Sequence, residues 1–523
     1  MQLHDFYTKQ IQGAIHGLDR IRFRGTLRWL ANDYGFKTFL TRAGVLLKDF
    51  GDWAQDKTQR IRGSCEEAAR ALGIETRYLR SSAVDKEALA RQLAAEKAIR
   101  SGSIAMFSVL ESCVAPGVDG NRATKQKEVS FRPRRCVFVY HYWDDPEVGF
   151  GHVRLQTWVP FTVQICLNGR HWLEKQLLKQ GISYLKDGNC FGWLADMKRA
   201  QALLDKQLRT AWPKLLDRLV QRTCPELERV LEPLVWQYYW SADETEYATD
   251  LMYRSRADVE ALSQRLLWEG MKISDAPSVM RYLGKGGISA AGKIRGTIPD
   301  EIVSDYRRRA PGVRIKHWVN QNSVKMYSKA GNVLRVETTI NNTRQFKVYR
   351  RPNDDGGRAK KYLRMRKGVS DLARRCQVSQ RSNERYLEAL ATTATGETLQ
   401  ETISGVCQPC HKAKRRYRAM APWNREDQRL MEYLAKGEHA INGFRNAELR
   451  VWLYGERGEQ DPQKRKKASG RCTRRLALLR AHGLIRKVTK SNRYVVTAKG
   501  MKVSRALLTA SATRTEELMK LAA

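Results

Sequence analysis

The sequence predicts a multidomain α+β protein, and three observations support this fold class. The chain has 523 residues, more than one hydrophobic core usually organises, so about two to four domains are expected. Hydrophobic residues make up 42% of the chain and 13 residues are Trp, which favours folded domains over disorder. Helix-forming stretches and stretches of alternating apolar and polar residues occupy separate regions, which is typical of α+β proteins.

The predicted domains follow one another along the chain. They are a mainly helical N-terminal region (1–130), an α+β central domain with a β-hairpin and a β-meander (131–350), a basic loop and helical linker (351–424) and a C-terminal domain (425–523).

The N-terminal region is rich in good helix formers, most clearly in residues 71–100. Residues 17–25 alternate apolar and charged side chains, which predicts a short strand or an extended arm.

The central region changes to β-branched and aromatic residues. Residues 136–143 and 152–159 flank a turn and predict a β-hairpin, with a third strand continuing at 160–166. Helices are expected at 169–180, 196–216, 226–234 and 255–270. Three alternating stretches (314–320, 323–328 and 333–340) then predict the meander. Residues 350–368 are rich in Gly, Arg and Lys and are interpreted as a boundary or a phosphate-contacting loop, after which a helix is expected at 370–385.

The charge of the chain indicates its partner. Lys and Arg number 95 against 55 Asp and Glu, a formal net charge of +40. Such a chain repels itself unless it binds polyanions, and nucleic acid is the usual partner because each phosphate contact releases counterions. An anionic membrane surface is the alternative. The sequence contains no apolar stretch that predicts a secretory signal or a membrane span, so a cytoplasmic location is expected.

Cys407, Cys410 and His411 have the spacing of a covalent haem site. That function requires export, and a zinc site requires a second pair of ligands nearby. A short loop requires neither.

The C-terminal domain predicts helices at 427–436, 445–454 and 468–481, a hairpin at 484–497 and a further helix from Lys499. Through the segments 478–485 and 493–500 it resembles the winged-helix domains of bacterial DNA-binding proteins. The resemblance implies that the third helix enters the major groove and that the hairpin lies on phosphates. The implied contacts are Arg471, Arg474 and Arg475 on the helix and Lys487, Lys490 and Arg493 on the hairpin. Binding of RNA or protein is the alternative.

Residues 324–329 and 333–339 resemble a motif pair of the replication initiators of rolling-circle plasmids and filamentous phages. The resemblance implies a small antiparallel sheet that holds a divalent metal beside a nicking tyrosine. Tyr327, Lys329, Arg335 and Glu337 match the motif, whereas Ser328 stands where the family has an acid. The whole chain also resembles an uncharacterised family of bacterial proteins associated with mobile elements.

A metal-dependent nuclease needs carboxylates that converge on Mg²⁺. Glu337 is the leading candidate for metal ligand or general acid/base, with Tyr327 near the scissile phosphate and Lys325 and Arg335 as nucleic-acid contacts. Glu246 and Asp250 would share a face if their segment were helical. Asp19, Asp144 and Asp145 are further candidates, and each of these acids has a structural alternative as an ion-pair or turn residue.

The sequence therefore predicts a nucleic-acid-binding protein of a mobile element, a replication-initiation or transposition-type strand-processing protein. If it is an enzyme, a metal-dependent DNA endonuclease or strand-transfer enzyme is expected. The alternatives are an RNA-binding protein for a structured RNA of its own element and a non-enzymatic DNA-binding transcriptional regulator. Motifs for nucleotide hydrolysis, acyl transfer and zinc proteolysis are absent from the sequence.

Overall fold

A computed structural model describes most of the chain, in two compact units that are both discontinuous in sequence. The described residues are 9–120, 126–232, 237–272, 279–280, 282–284, 302–309, 312–352, 359–391, 398–413, 415–436, 439, 443–455, 461–488 and 491–516. The sheet unit comprises Gln12–Arg254 and Ser328–Gln380, and the C-terminal unit comprises Met1–Ile11, Ser255–Tyr327 and Arg381–Ala523.

The described strands are β1 (Ile11–Thr26), β2 (Glu75–Leu79), β3 (Gly102–Gly120), β4 (Lys127–Asp145), β5 (Gly149–Gln156), β6 (Val163–Asn168), β7 (Tyr184–Asp187), β8 (Cys190–Leu194), β9 (Tyr239–Tyr253), β10 (Ile302–Arg309), β11 (Gly312–Val319), β12 (Asn322–Lys329), β13 (Val333–Ile340), β14 (Lys347–Arg350), β15 (Lys361–Arg364), β16 (Cys410–Lys412), β17 (Arg415–Tyr417), β18 (Phe444–Arg445), β19 (Ile485–Lys487) and β20 (Arg493–Val496).

The described helices are α1 (Asp33–Arg42), α2 (Phe50–Ala71), α3 (Lys86–Glu96), α4 (Gly169–Lys179), α5 (Met197–Gln207), α6 (Trp212–Thr223), α7 (Leu227–Val230), α8 (Arg256–Lys272), α9 (Leu372–Ala391), α10 (Leu399–Ser404), α11 (Arg425–Ala435), α12 (Asn446–Tyr454), α13 (Pro462–Ala481) and α14 (Ala498–Ala512). Within the described ranges, none of them has the length and apolar character that crossing a membrane requires.

The sheet unit is built on a mostly antiparallel sheet with the strand order β13-β9-β1-β6-β5-β4-β3-β2. β2 pairs with β3 in parallel, whereas the pairs β3–β4, β4–β5, β5–β6, β6–β1 and β9–β13 are antiparallel. Strand β1 buries Ile21 and Phe23 on one face and places Arg22 and Arg24 on the other, because successive side chains alternate. The apolar face packs on helices, and α6 contributes a stripe that includes Leu216 and Leu219.

The C-terminal unit contains the antiparallel strands β10, β11 and β12. A second core in this unit joins α11 to the later helices and includes Leu430, Phe444, Leu476 and Leu484. There β18, β20 and β19 form a three-stranded sheet, and β19 and β20 make the hairpin expected at 484–497.

The structure confirms a mixed helix and strand protein and most central elements, but it corrects the helical N-terminal region. The strand expected at 17–25 is confirmed as part of β1, whereas residues 102–120, placed in the mainly helical region, form a long strand of the sheet. Residues 71–100, the segment richest in helix formers, contain the end of α2, then β2, then α3. Gly73, at φ +63°, follows the end of α2, and Ile74 N–H bonds back to the Ala69 carbonyl. Pairing of β2 with β3 outweighs the local helix propensity of this segment.

Candidate metal centre and nucleic-acid surfaces

Three carboxylates converge in the sheet unit, one from each of three neighbouring strands. Asp19 lies on β1, Glu246 on β9 and Glu337 on β13. One ligand oxygen from each residue lies within 4.8 Å of the other two. Within the described ranges, this is the one group of three or more His, Cys, Asp or Glu side chains close enough to share an ion.

Strand register places the acids of β9 and β13 on one face. Glu246 lies opposite Thr339, Glu337 opposite Ala248 and Asp250 opposite Arg335. Paired residues, and residues two apart on a strand, point to the same face of a sheet. The helical premise for Glu246 and Asp250 is therefore wrong, but their spacing of four also gives a common face in a strand.

Arg335 is the organising cation of this centre. Its side chain is fully buried. Nη1 donates to Asp19 Oδ2 at 2.8 Å, Nε donates to Asp250 Oδ1 at 2.5 Å, and Nη2 donates to Asp250 Oδ2 at 2.9 Å. Arg335 was expected to contact nucleic acid. The structure corrects this expectation, because the buried guanidinium is already held by two carboxylates.

Two asparagines fix the orientation of Asp19. Asn168 Nδ2 donates to Oδ1 at 2.8 Å, and Asn189 Nδ2 lies 2.6 and 2.8 Å from the two carboxylate oxygens. Burial raises the pKa of the Asp19 carboxyl, but the nearby charges of Arg335, Arg170 and Lys329 outweigh it and hold that pKa below its ordinary value. Asp19 therefore stays ionised although it is buried.

Asp250 lies beside the three-carboxylate group and acts in its support. Its Oδ2 lies 2.9 Å from Nη2 of Arg170, and both side chains are fully buried. Glu246 and Glu337 bring the carboxylates of this region to four, and the cations Arg335, Arg170 and Lys329 act on Asp19. A predicted catalytic role for Asp250 is less compatible with this placement than a role as counter-ion to the two arginines.

A cavity of about 390 Å³ adjoins the centre, with Glu246, Asn168 and Asn189 in its wall. Its volume lies within the range of roughly 300–1,000 Å³ that is typical of small-molecule sites. The remaining lining residues are Arg20, Glu87, Arg91, Phe150, Gly151, His152, Cys166, Leu167, His171 and Gly188. Burial and the neighbouring charge of Arg20 lower the pKa of His152 to about 3, so this imidazole is neutral at physiological pH.

Tyr327 and Lys325 lie on β12, within the part of that strand that belongs to the C-terminal unit. There Lys325 Nζ lies 5.5 Å from the centroid of the Tyr327 ring. The expected position of Tyr327 near a scissile phosphate and the expected contact of Lys325 with nucleic acid stay predictions.

A second group of candidate residues lies on α13. Its buried side includes Cys472, Leu476 and Leu479, and its exposed side presents a run of cations. Exposed basic residues of this helix are Lys464, Arg465, Lys466, Lys467, Arg471, Arg474 and Arg480. Arg471 and Arg474 are thus accessible, as a DNA contact requires.

The other expected contacts of this region divide into three cases. Arg475 pairs with Glu426 and lies 3.4 Å from Asp427, whose side chain is buried, so it links α13 to α11 rather than facing outward. Lys487 is exposed on β19, and Arg493 is half-buried 4.0 Å from Glu448. Lys490 lies outside the described residues.

The cysteine cluster shows a two-residue contact. Cys410 Sγ lies 3.8 Å from His482 Nε2, which also lies 2.9 Å from the Arg418 carbonyl oxygen. This contact links the β16 segment to the end of α13.

Sequence reasoning singled out Asp19, Glu246 and Glu337 but missed the residues that hold Asp19. Asn189 follows Gly188 in the tight connection between β7 and β8, and this Gly-Asn pair was the available signal. Asn168 and Arg170 lie at the start of α4, where Asn168 also caps the helix through its side-chain oxygen. Nothing in the local pattern indicates that Arg170 reaches Asp250. Comparison of the chain with protein-family models, curated proteins and solved structures gave no match.

Proposed function

We propose that this protein is a divalent-cation-dependent enzyme that cleaves nucleic-acid strands, with the cation held by Asp19, Glu246 and Glu337. The observation that carries the proposal is the convergence of these carboxylates from three adjacent strands, within 4.8 Å of one another. Oxygen ligands of this kind suit Mg²⁺ or Mn²⁺.

Charge and access support a cation at this position. Carboxylates held close together repel one another, and a divalent cation placed between them would relieve that repulsion. Glu246 is only half-buried and lines the cavity, so an ion or a phosphate in the cavity would reach this carboxylate.

Arg20 supports an anionic substrate in the cavity. It is exposed and lines the cavity together with Glu246 and Glu87. A bound cation would polarise a phosphodiester oxygen and stabilise the charge that develops during cleavage. Arg20 would hold a neighbouring phosphate oxygen, as arginine does through its planar donors.

The C-terminal unit supports DNA as the substrate. Its order of α11, β18, α12, α13, β19 and β20 fits the winged-helix arrangement that the sequence resembles, with α13 as the third helix. The exposed cations of α13 would then deliver the protein to duplex DNA. Replication initiation or transposition of a mobile element is the setting that the sequence resemblances favour.

The test measures metal binding and cleavage separately. Mn²⁺ binding is followed by electron paramagnetic resonance, and cleavage of end-labelled single-stranded and duplex DNA is followed with Mg²⁺, Mn²⁺ or EDTA. The variants are Glu337→Gln and Asp19→Asn. Glu111→Gln is the matched control, because Glu111 lies on β3 of the same sheet and pairs with Arg154 instead.

We expect both site variants to lose Mn²⁺ binding and cleavage, while Glu111→Gln retains both. Absence of Mn²⁺ binding by the unaltered protein refutes the metal centre. Metal binding and DNA binding without cleavage would instead favour a regulator, and cleavage confined to RNA would favour the RNA-directed alternative.

A further inference from the structure

Two tyrosines form an exposed pair on the β14–β15 hairpin of the sheet unit. Tyr349 and Tyr362 are directly opposite in register, and their ring centroids lie 5.3 Å apart. Their exposed fractions are 55% and 72%, respectively. Large aromatic side chains seldom remain this accessible in a pair, so a binding role is indicated.

Cations flank the tyrosines on the same face of the hairpin. Lys347 precedes Tyr349 by two residues, and Arg364 follows Tyr362 by two and lies opposite Lys347. Arg351 directly follows the first strand and Lys360 directly precedes the second, and all four cations are exposed. We call these six residues the aromatic platform: Lys347, Tyr349, Arg351, Lys360, Tyr362 and Arg364. Residues 347–352 and 359–364 contain no acidic residue.

The opposite face of the hairpin anchors it. Val348 packs with Phe346, Met365 and Ile340 in a small buried core. Arg350 turns away from the platform, donates to the carbonyl oxygens of Arg351 and Arg364, and lies 3.8 Å from the buried Asp371 carboxylate. The platform is therefore held by the fold, so its rings lose little freedom when a ligand binds.

We propose that the aromatic platform binds single-stranded nucleic acid, with bases stacked on Tyr349 and Tyr362 and the backbone held by the flanking cations. Alternation of stacking rings and cations matches the alternation of bases and phosphates along a strand. Bases in a duplex are paired and stacked on each other, so they are not free to stack on these rings. The aromatic platform therefore specifies a single-stranded substrate for the proposed function. This inference rests on the proposed function only for the choice of nucleic acid as the ligand.

The experiment measures binding of the full chain to fluorescently labelled oligothymidine and to a duplex of equal length by anisotropy. It is done in EDTA, which removes the metal centre from the assay. The variants are Tyr349→Ala with Tyr362→Ala, and Tyr349→Phe with Tyr362→Phe. Tyr78→Ala is the matched control, because Tyr78 is a 57% exposed tyrosine on β2 of the same unit.

We expect the double alanine variant to bind oligothymidine roughly ten- to a hundred-fold more weakly than the unaltered protein, with duplex binding unchanged. The double phenylalanine variant keeps the stacking faces and should bind within about three-fold of it. Tyr78→Ala should bind normally, and unchanged urea midpoints would exclude misfolding as the cause.

Equal loss of single-strand and duplex binding refutes a single-strand surface, as does normal oligothymidine binding by the double alanine variant. If the protein cleaves DNA but fails this test, the proposed metal centre stands and the aromatic platform is refuted as a binding surface. If it passes this test but never cleaves, the platform stands and the proposed enzyme activity is refuted.

Discussion

Replacing Arg335 by Leu should strongly destabilise the sheet unit at neutral pH. The substitution leaves Asp19 and Asp250 buried without the guanidinium that lies 2.8 Å from one and 2.5 Å from the other. Removing one partner of a buried ion pair costs about 3–5 kcal/mol. With a urea m-value of about 2 kcal/mol/M, the unfolding midpoint should fall by about 1.5–2.5 M.

The pH dependence identifies the cause. The pKa of Asp19 is lowered in the folded protein, so its contribution to stability is present above the unfolded value of 3.8 and is lost as pH falls through the folded value. Without Arg335, burial raises the pKa of Asp19, and the carboxyl is protonated at higher pH. The stability deficit of Arg335→Leu should therefore be largest near pH 7 and should shrink toward pH 4.

The assay is urea unfolding followed by circular dichroism at both pH values, with Arg24→Leu as the control. Arg24 lies on β1 and donates to Asp243 at 2.6 Å, but its side chain is 43% exposed. Such a surface pair is worth at most about 1 kcal/mol. If Arg335→Leu costs no more than Arg24→Leu, or if its deficit is the same at both pH values, the argument from buried charge is refuted.

Two further predictions concern a buried histidine and the basic helix. His141 bonds to Thr223 and Ser103, and burial lowers its pKa to about 3 from 6.5, so folding favours the neutral ring and stability falls as pH drops below 6.5. His141→Gln should make the free energy of unfolding less dependent on pH between pH 6.5 and 4, by up to about 1.4 kcal/mol per pH unit. Urea midpoints measured across this range report the effect, and an unchanged pH dependence contradicts this account. Replacing Arg471 and Arg474 by Ala should reduce the salt dependence of duplex binding, by an amount that corresponds to about two phosphate contacts. The free energy of unfolding should not change. Arg475→Ala should instead destabilise the C-terminal unit, because the contact with Asp427 is lost. If Arg475→Ala reduces the salt dependence of binding and leaves stability unchanged, the DNA contact lies at Arg475.

Local pattern predicted the central strands well because their signal is local. The alternation around residues 136–166 and 314–340 recurs in β4, β5, β6, β11, β12 and β13. Long-range packing decides which strands become neighbours, and the local sequence pattern carries no information about that order. Residues 19, 246 and 337 are far apart in sequence, so each acid could be nominated separately, whereas their convergence required the strand order.

The same limit explains why Arg335 was misjudged. In a chain with 95 Lys and Arg residues, a strand arginine is expected to meet phosphate. Its register opposite Asp250 instead makes it a buried counter-ion. Local pattern predicts the exposure of a side chain from its neighbours in sequence. The exposure of Arg335 is instead set by β7, β8 and α4, from which Asn189 and Arg170 reach the centre.

Arg335 also explains how the centre can stay both buried and acidic. A buried carboxylate without a counter-ion takes up a proton and loses its negative charge, which would remove it as a metal ligand. An arginine keeps its charge at all physiological pH values, so it holds Asp19 ionised in the absence of any metal. Arg335 engages Asp19 and Asp250 together, whereas Glu246 borders the cavity. The Glu337→Gln and Arg335→Leu variants separate metal binding from stabilisation of the buried acids: the first should lose the metal and keep the fold, and the second should lose stability first.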